Sequence, residues 1–201
     1  MPNRRSETDE DFDRAAMARL LADQPEAIDA IIERHGPALH AYLIRWMGNA
    51  EDARDLALET FVRVHQHRAR FDPTRSLATW LYSIATNLAR DRHRWRLRHP
   101  ETAFLAIETN PGLDGESSLQ DSRSDPALTL LREERAIAVR RAIDTLPDDL
   151  RTVILLSEFE SLSNAEIASI LQCTVKAVEM RLYRARHNLR NQLAAFILDP
   201  E

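Results

Sequence analysis

Cysteine is nearly absent from this chain. Cys173 is the only one, so no disulfide framework is available and a reducing cytoplasm is the expected setting. Glycine is almost as scarce, with 4 residues in 201, and few segments alternate β-branched with polar residues. Together these exclude a fold rich in strands and tight turns and favour an all-α protein. No apolar run reaches the roughly 18 residues of a membrane span. Met1 to Glu10 is polar and charged, which is unlike a secretory signal. Also missing are a Gly-rich phosphate loop, a G-x-S-x-G elbow and any other catalytic motif. His65 and His67 lie two apart, so a helix would point them in different directions. Histidines 35, 40, 93, 99 and 187 form no ligand set with Cys173. The expectation is therefore no catalytic residue, no metal, no cofactor and no small-molecule substrate.

What is present is charge, unevenly placed. The net charge is −5. Residues 1–98 carry 16 Arg against 15 acids, and residues 128–201 carry 10 basic against 11 acidic residues. Residues 99–127 set Arg123 against Glu101, Glu108, Asp114, Glu116, Asp121 and Asp125, so the whole excess lies there. All but one of the 27 basic residues are Arg, the exception being Lys176. In the same middle stretch periodicity fails, and Pro100, Asn110-Pro111-Gly112, Asp114-Gly115 and Ser117-Ser118 break any helix. Two small helical domains, 1–98 and 128–201, joined by an acidic flexible linker, 99–127, are the expected organisation.

In the first domain, Phe12–Leu21 reads as a short helix with Asp11 as a possible cap. Residues 25–35 form a second, kinked or broken by Gly36-Pro37 and continued over 38–47, with Gly48 as a left-handed stop. Asn49 opens a long helix to about Arg70, with Ala53, Leu56, Ala57, Phe61 and Val64 inward. Asp52, Asp55, Glu59 and Arg63 line another of its faces, which is either ordinary solvation or a docking stripe for a basic surface.

Phe71–His99 carries the strongest pattern. Leu77, Trp80, Leu81, Ile84, Ala85 and Leu88 make one helical face. Asp72 or Ser76 can cap its start, and Pro73 suits a first turn. Asn87, Arg90 and Arg94 share a polar face, and Arg90, Arg92, Arg94, Arg96 and Arg98 follow one another around Trp95. Cations suit any helix C-terminus. Guanidinium forks, an amide and aromatic rings also suit a phosphate backbone and unpaired bases.

The second domain opens at Asp125-Pro126 with a helix to about Leu146, and Pro147-Asp148-Asp149 starts another. Ser163-Asn164-Ala165-Glu166 has capping-box spacing, Gln172-Cys173-Thr174 is a turn, and Thr174 caps the last helix. Val178, Leu182, Ala185, Leu189 and Leu193 face inward there. Such a pair is an αα-hairpin or, with its basic tail, a DNA-binding helix-turn-helix. Its outward residues are Lys176, Glu179, Met180, Tyr183, Arg184 and His187.

At this point the chain resembles the extracytoplasmic-function (ECF) group of bacterial sigma factors. Domain 2 of that family is matched by Asp52-Ala53-Arg54-Asp55-Leu56 with Glu59-Thr60-Phe61, by Phe71-Asp72-Pro73, by residues 79–85 (Thr-Trp-Leu-Tyr-Ser-Ile-Ala) with Asn87, and by Asp91 with the arginines. Domain 4 is matched by Leu146-Pro147, Leu162-Ser163, Glu166-Ile167-Ala168, Val178, Arg181-Leu182, Arg184-Ala185-Arg186 and Leu189-Arg190. The resemblance implies a non-enzymatic factor that binds core RNA polymerase, recognises promoter DNA and is held by an anti-sigma factor. It implies that Asp52, Asp55, Glu59 and Arg63 dock on the β′ clamp helices and that domain 4 meets the β flap. Trp80, Ser83 and Asn87, with the loop before Trp80, would hold a flipped −10 base while Arg90 and Arg94 grip backbone. Thr174, Lys176, Glu179, Met180, Tyr183, Arg184 and His187 would face the −35 element. The acidic linker would thread the RNA path.

The family pattern is departed from at four places: Leu58 for Gln, Leu77-Ala78 for Phe-Arg, Gln172 for Gly, and residues 176–180 (Lys-Ala-Val-Glu-Met) for Gly-Thr-Val-Lys/Arg-Ser. The last bears on which −35 sequence is read. The rival reading from composition and motif alone is a stand-alone dimeric helix-turn-helix regulator, against which stands the lack of a heptad seam for a dimer.

Overall fold

A computed structural model describes residues 7–99 and 126–194, with side chains described over 9–99 and 134–194. The expected linker lies almost wholly outside the described residues. Every regular element among them is helical.

The first half holds four helices, α1 (Glu7–Leu21), α2 (Ala27–Met47), α3 (Ala50–Gln66) and α4 (Leu77–Arg98). Two boundaries differ from the sequence reading. Helix α1 starts before Phe12, and Asp11, expected as its cap, lies inside it paired with Arg14 at 2.9 Å. Helix α2 runs unbroken through Gly36-Pro37. Proline at 37 removes the hydrogen bond to the Glu33 carbonyl, but both residues are on the exposed side, where water can take that carbonyl.

The stop and restart between α2 and α3 follow expectation. Gly48 adopts φ 67° and its N–H donates to the Ile44 carbonyl at 2.9 Å. Asn49 then caps α3, its Oδ1 accepting from the Asp52 N–H at 3.0 Å. Helix α3 ends at Gln66, and a short 3₁₀ turn, Arg68–Arg70, replaces its expected last turn. Ser76, with extended backbone, stands just before α4, while Asp72 and Pro73 belong to the preceding loop.

The second half holds α5 (Pro126–Asp144), α6 (Asp148–Ile154), a wide π-type turn (Leu155–Phe159), α7 (Asn164–Leu171) and α8 (Val175–Gln192). The capping box forms in full. Ser163 Oγ accepts from the Glu166 N–H, and the Glu166 carboxylate accepts from the Ser163 N–H at 2.8 Å. Gln172, between α7 and α8, is left-handed at φ 50°, ψ 46°.

Met17, Ile31, Leu39, Tyr42, Leu43, Leu56, Leu77 and Leu81 fill the first core, and Ile143, Leu155, Leu156, Ile167, Val178 and Leu182 the second. Each large side chain buried in this way stabilises by about 1.5–3 kcal/mol before entropy is counted. The two cores join at Trp46, which is fully buried. Its indole Nε1 donates to Thr152 Oγ1 at 3.2 Å, and Arg151 donates to its carbonyl at 3.3 Å with the guanidinium 5.4 Å from its ring. The joint continues where Arg45 and Tyr82 both reach the Glu160 carboxylate.

Candidate nucleic-acid interface

Three surfaces carry the residues singled out from the sequence. On α3, Asp55 is exposed, and Glu59 and Arg63 pair at 2.6 Å on its outer side. Asp52 does not share that open face. It is 7% exposed, and its carboxylate is held by Arg92 at 2.6 Å and by Arg96. The periodicity of α3 puts Asp52 at the edge of the apolar stripe. What covers it is the far end of α4, which no single-helix pattern reveals. Its carboxylate therefore faces α4 and not the open side of α3.

On α4, the apolar face behaves as read. Leu77, Leu81, Ala85 and Leu88 are buried, with Trp80 and Ile84 packed on the core edge. Trp80 leans on Phe71, ring centroids 5.3 Å apart, and Ser83 Oγ donates to the Trp80 carbonyl at 2.7 Å. These residues wall a cleft of about 400 Å³ that Thr79, Asp72 and Arg75 also line. Asp72 Oδ1 accepts from the Thr74 hydroxyl at 2.6 Å and from the Thr74 N–H at 3.0 Å. Those bonds hold its carboxyl below the ordinary range, so the loop keeps a fixed charge beside Arg75. Asn87 is exposed and lies beyond Ser83 along the helix, outside the lining of that cleft. Arg94 is also exposed, 3.7 Å from Asp91.

Part of this surface faces the second domain. Ser169 and Gln172, at the α7 end of the helix-turn-helix, complete the lining of the Trp80 cleft. Arg75 approaches Ser169 Oγ at 3.5 Å, Arg90 reaches Thr152 Oγ1 at 3.4 Å, and His93 meets Asp148 at 3.1 Å. Burial pushes the Arg90 guanidinium below its ordinary pKa, opposed by the charge of Asp148 nearby. The sequence gives no hint of this covering, because nothing in a helical period records what another domain lays over it.

On α8, Thr174 caps the helix, its Oγ1 accepting from the Ala177 N–H at 3.2 Å. Lys176, Glu179, Met180, Tyr183, Arg184 and His187 are all exposed, as the spacing predicts. Lys176 and Glu179 lie 3.7 Å apart, and the Tyr183 and His187 rings stack at 6.5 Å. A groove of about 290 Å³ along this face is also lined by Asn164, Arg186 and Arg190, which the sequence reading omitted. Arg186 and Arg190 follow Tyr183 at i+3 and i+7, so helical spacing alone contained the signal. Arg186 pairs with Glu158 at 2.7 Å.

Among the described residues no group of three or more His, Cys, Asp or Glu could hold a metal ion. Among those residues, too, no helix is long and apolar enough to cross a membrane.

Comparison with known proteins gives two family matches, one in each half of the chain. Residues 31–98 match Sigma-70 region 2, and residues 136–189 match Sigma-70, region 4. The chain is 32% identical to the RNA polymerase sigma-H factor of Pseudomonas aeruginosa, covering 90% of this chain and 93% of that one. It is 34% identical to the ECF RNA polymerase sigma factor SigW of Bacillus subtilis, covering 84% and 89% respectively. Among solved structures it is similar to CnrH, determined in complex with the cytosolic domain of CnrY, with a TM-score of 0.65 and 26% identity. That likeness covers 92% of this chain and 98% of CnrH.

Proposed function

The chain belongs to the ECF sigma factors of bacterial RNA polymerase, and from that premise we propose how its surfaces divide the work of initiation. The outer face of α3, with Asp55, Glu59 and Arg63, docks on the β′ clamp helices of core polymerase. The Trp80 cleft, Ser83 and Asn87 receive the separated strand at the −10 element, and Arg90 and Arg94 hold its backbone. The exposed face of α8 lies on the −35 element, with Arg186 and Arg190 added to the seven residues read from the sequence. Domain 4 also meets the β flap. The factor contributes no bond-making chemistry of its own, which belongs to the polymerase.

The observation that carries this reading is the Trp80 cleft. An aromatic wall, hydroxyls and a flanking guanidinium offer what an unstacked base needs, namely a π-surface, hydrogen bonds and charge. An anti-sigma factor is the proposed regulator, supported by the similarity to CnrH, which was solved with a second protein's cytosolic domain. The stand-alone dimeric regulator has no observation in its favour.

The test is reconstitution with core polymerase. Asp55→Arg with Glu59→Arg is expected to abolish holoenzyme formation while leaving the helix content by circular dichroism intact. Transcript 5′ ends from wild-type holoenzyme should fall on a small promoter set with common −10 and −35 elements. Wild-type recovery of core enzyme with the double variant would refute the docking face.

A further inference from the structure

The last buried residue of α4 is Ala89, so the stretch from Arg90 to Arg98 extends past the hydrophobic core. Three kinds of contact hold it in place. Arg90 touches Thr152, and His93 touches Asp148 while its ring packs edge-on to Trp46 at 5.6 Å. Thr152 and Asp148 belong to the second domain, so those hydrogen bonds last only while the domains are together. The ring contact with Trp46, on α2, lies within the first domain, and so does the third contact. Arg92 and Arg96, one helical turn apart and therefore on one side of α4, close on the Asp52 carboxylate of α3. Asp52 is also one turn before Asp55 on the same helix.

A carboxylate so deeply buried needs both guanidiniums, since losing its partners would leave an unpaired charge away from water. The arrangement also sorts the five arginines. Arg92 and Arg96 are half-buried and turned to Asp52, whereas Arg94 and Arg98 are exposed. We propose that Asp52 is a positioning residue, fixing the basic end of α4 on the polymerase-docking helix and so setting the pose of Arg94 and Arg98 on promoter DNA. The inference rests on the assignment of α3 to polymerase and of α4 to the −10 region. Polymerase that grips Asp55 and Glu59 thereby also steadies the arginines, through one carboxylate a turn away.

The experiment separates core binding from promoter opening. Asp52→Asn holoenzyme, assembled at saturating factor, should bind core enzyme as wild type does. Opening of a duplex promoter, followed by a fluorescent base analogue at the −10 element, should slow by about ten- to a hundredfold, as small misplacements of reacting groups do. Arg92→Gln with Arg96→Gln should reproduce that slowing, and adding Asp52→Asn to the pair should slow it no further. If Asp52→Asn fails to fold, Asp52→Glu keeps the charge but moves it by one methylene, and the same split between binding and opening is expected. Opening at the wild-type rate, or effects that add fully, would overturn the proposal. Loss of core binding to the extent seen with Asp55→Arg and Glu59→Arg would return Asp52 to the docking contact. Retention of core binding by that last pair would instead sink the docking assignment, which the comparison of Asp52 with Arg92 and Arg96 does not depend on.

Discussion

Replacing Thr152 by valine changes a hydroxyl to a methyl at nearly constant volume, and its effect can be worked from the joint around Trp46. Thr152 is fully buried, and its hydroxyl donates to the Asp148 carbonyl at 2.6 Å while accepting from the Trp46 indole at 3.2 Å. Valine leaves the indole N–H in a dry site without an acceptor, which costs about 1–3 kcal/mol. The Asp148 carbonyl belongs to α6 and keeps its helical bonding, so little is lost there. Arg90 is half-buried and its 3.4 Å contact with Thr152 is long, so water can take over its N–H. Trp46→Phe removes the donor instead, with a further loss from the smaller ring. Once the indole N–H is gone, valine at 152 strands nothing. The two changes together should therefore cost less than the sum of the singles by about 1–2 kcal/mol. Urea unfolding followed by far-ultraviolet circular dichroism measures all four corners of the cycle. A Thr152→Val protein within about 0.5 kcal/mol of wild type, or a strictly additive cycle, would refute the claim that this bond ties the domains.

Three further outcomes are expected. Asn87→Ala should relax base preference in a randomised −10 library at fixed salt, whereas Arg94→Ala should weaken all promoters alike and lower the salt slope by about 1. Glu179→Arg removes the carboxylate that lies 3.7 Å from Lys176 and should raise general DNA affinity and shift the preferred −35 bases, measured by selection from a −35 library. Gln172→Gly should stabilise the second domain by up to about 1 kcal/mol in thermal unfolding, because glycine takes the left-handed conformation that costs glutamine about that much.

How much of this was legible beforehand depended on whether a feature is local. Gly48, Asn49, Ser163 with Glu166, and Thr174 each act within four residues, and all sit where their chemistry placed them. The faces of α4 and α8 were legible too, since a helical period fixes which residues point together. At Pro37 the expected break does not occur, and the freed Glu33 carbonyl lies on the exposed side where water can take it, which the motif itself does not record. The surroundings of Asp52 were hidden for a different reason. Its partners lie 40 and 44 residues away, and acidic residues on a helix surface look alike until the covering helix is known. The Trp80 cleft was half-legible. Its aromatic wall and loop came from the motif, but Ser169 and Gln172 come from another domain.

That shared cleft has a consequence for distances. On the proposed reading, a strand entering beside Trp80 and the end of α7 would compete for one volume, so binding the −10 element there would move the second domain away. Elements named −10 and −35 lie about 25 base pairs apart, or about 85 Å along straight duplex. The 26 residues 100–125 join the two domains. Covalent geometry alone limits their span to roughly 90 Å. That limit is close to the separation of the two elements that the proposed reading assigns to the domains. Removing ten residues would shorten that limit by about 35 Å, and the −35 contact would be the first to go out of reach.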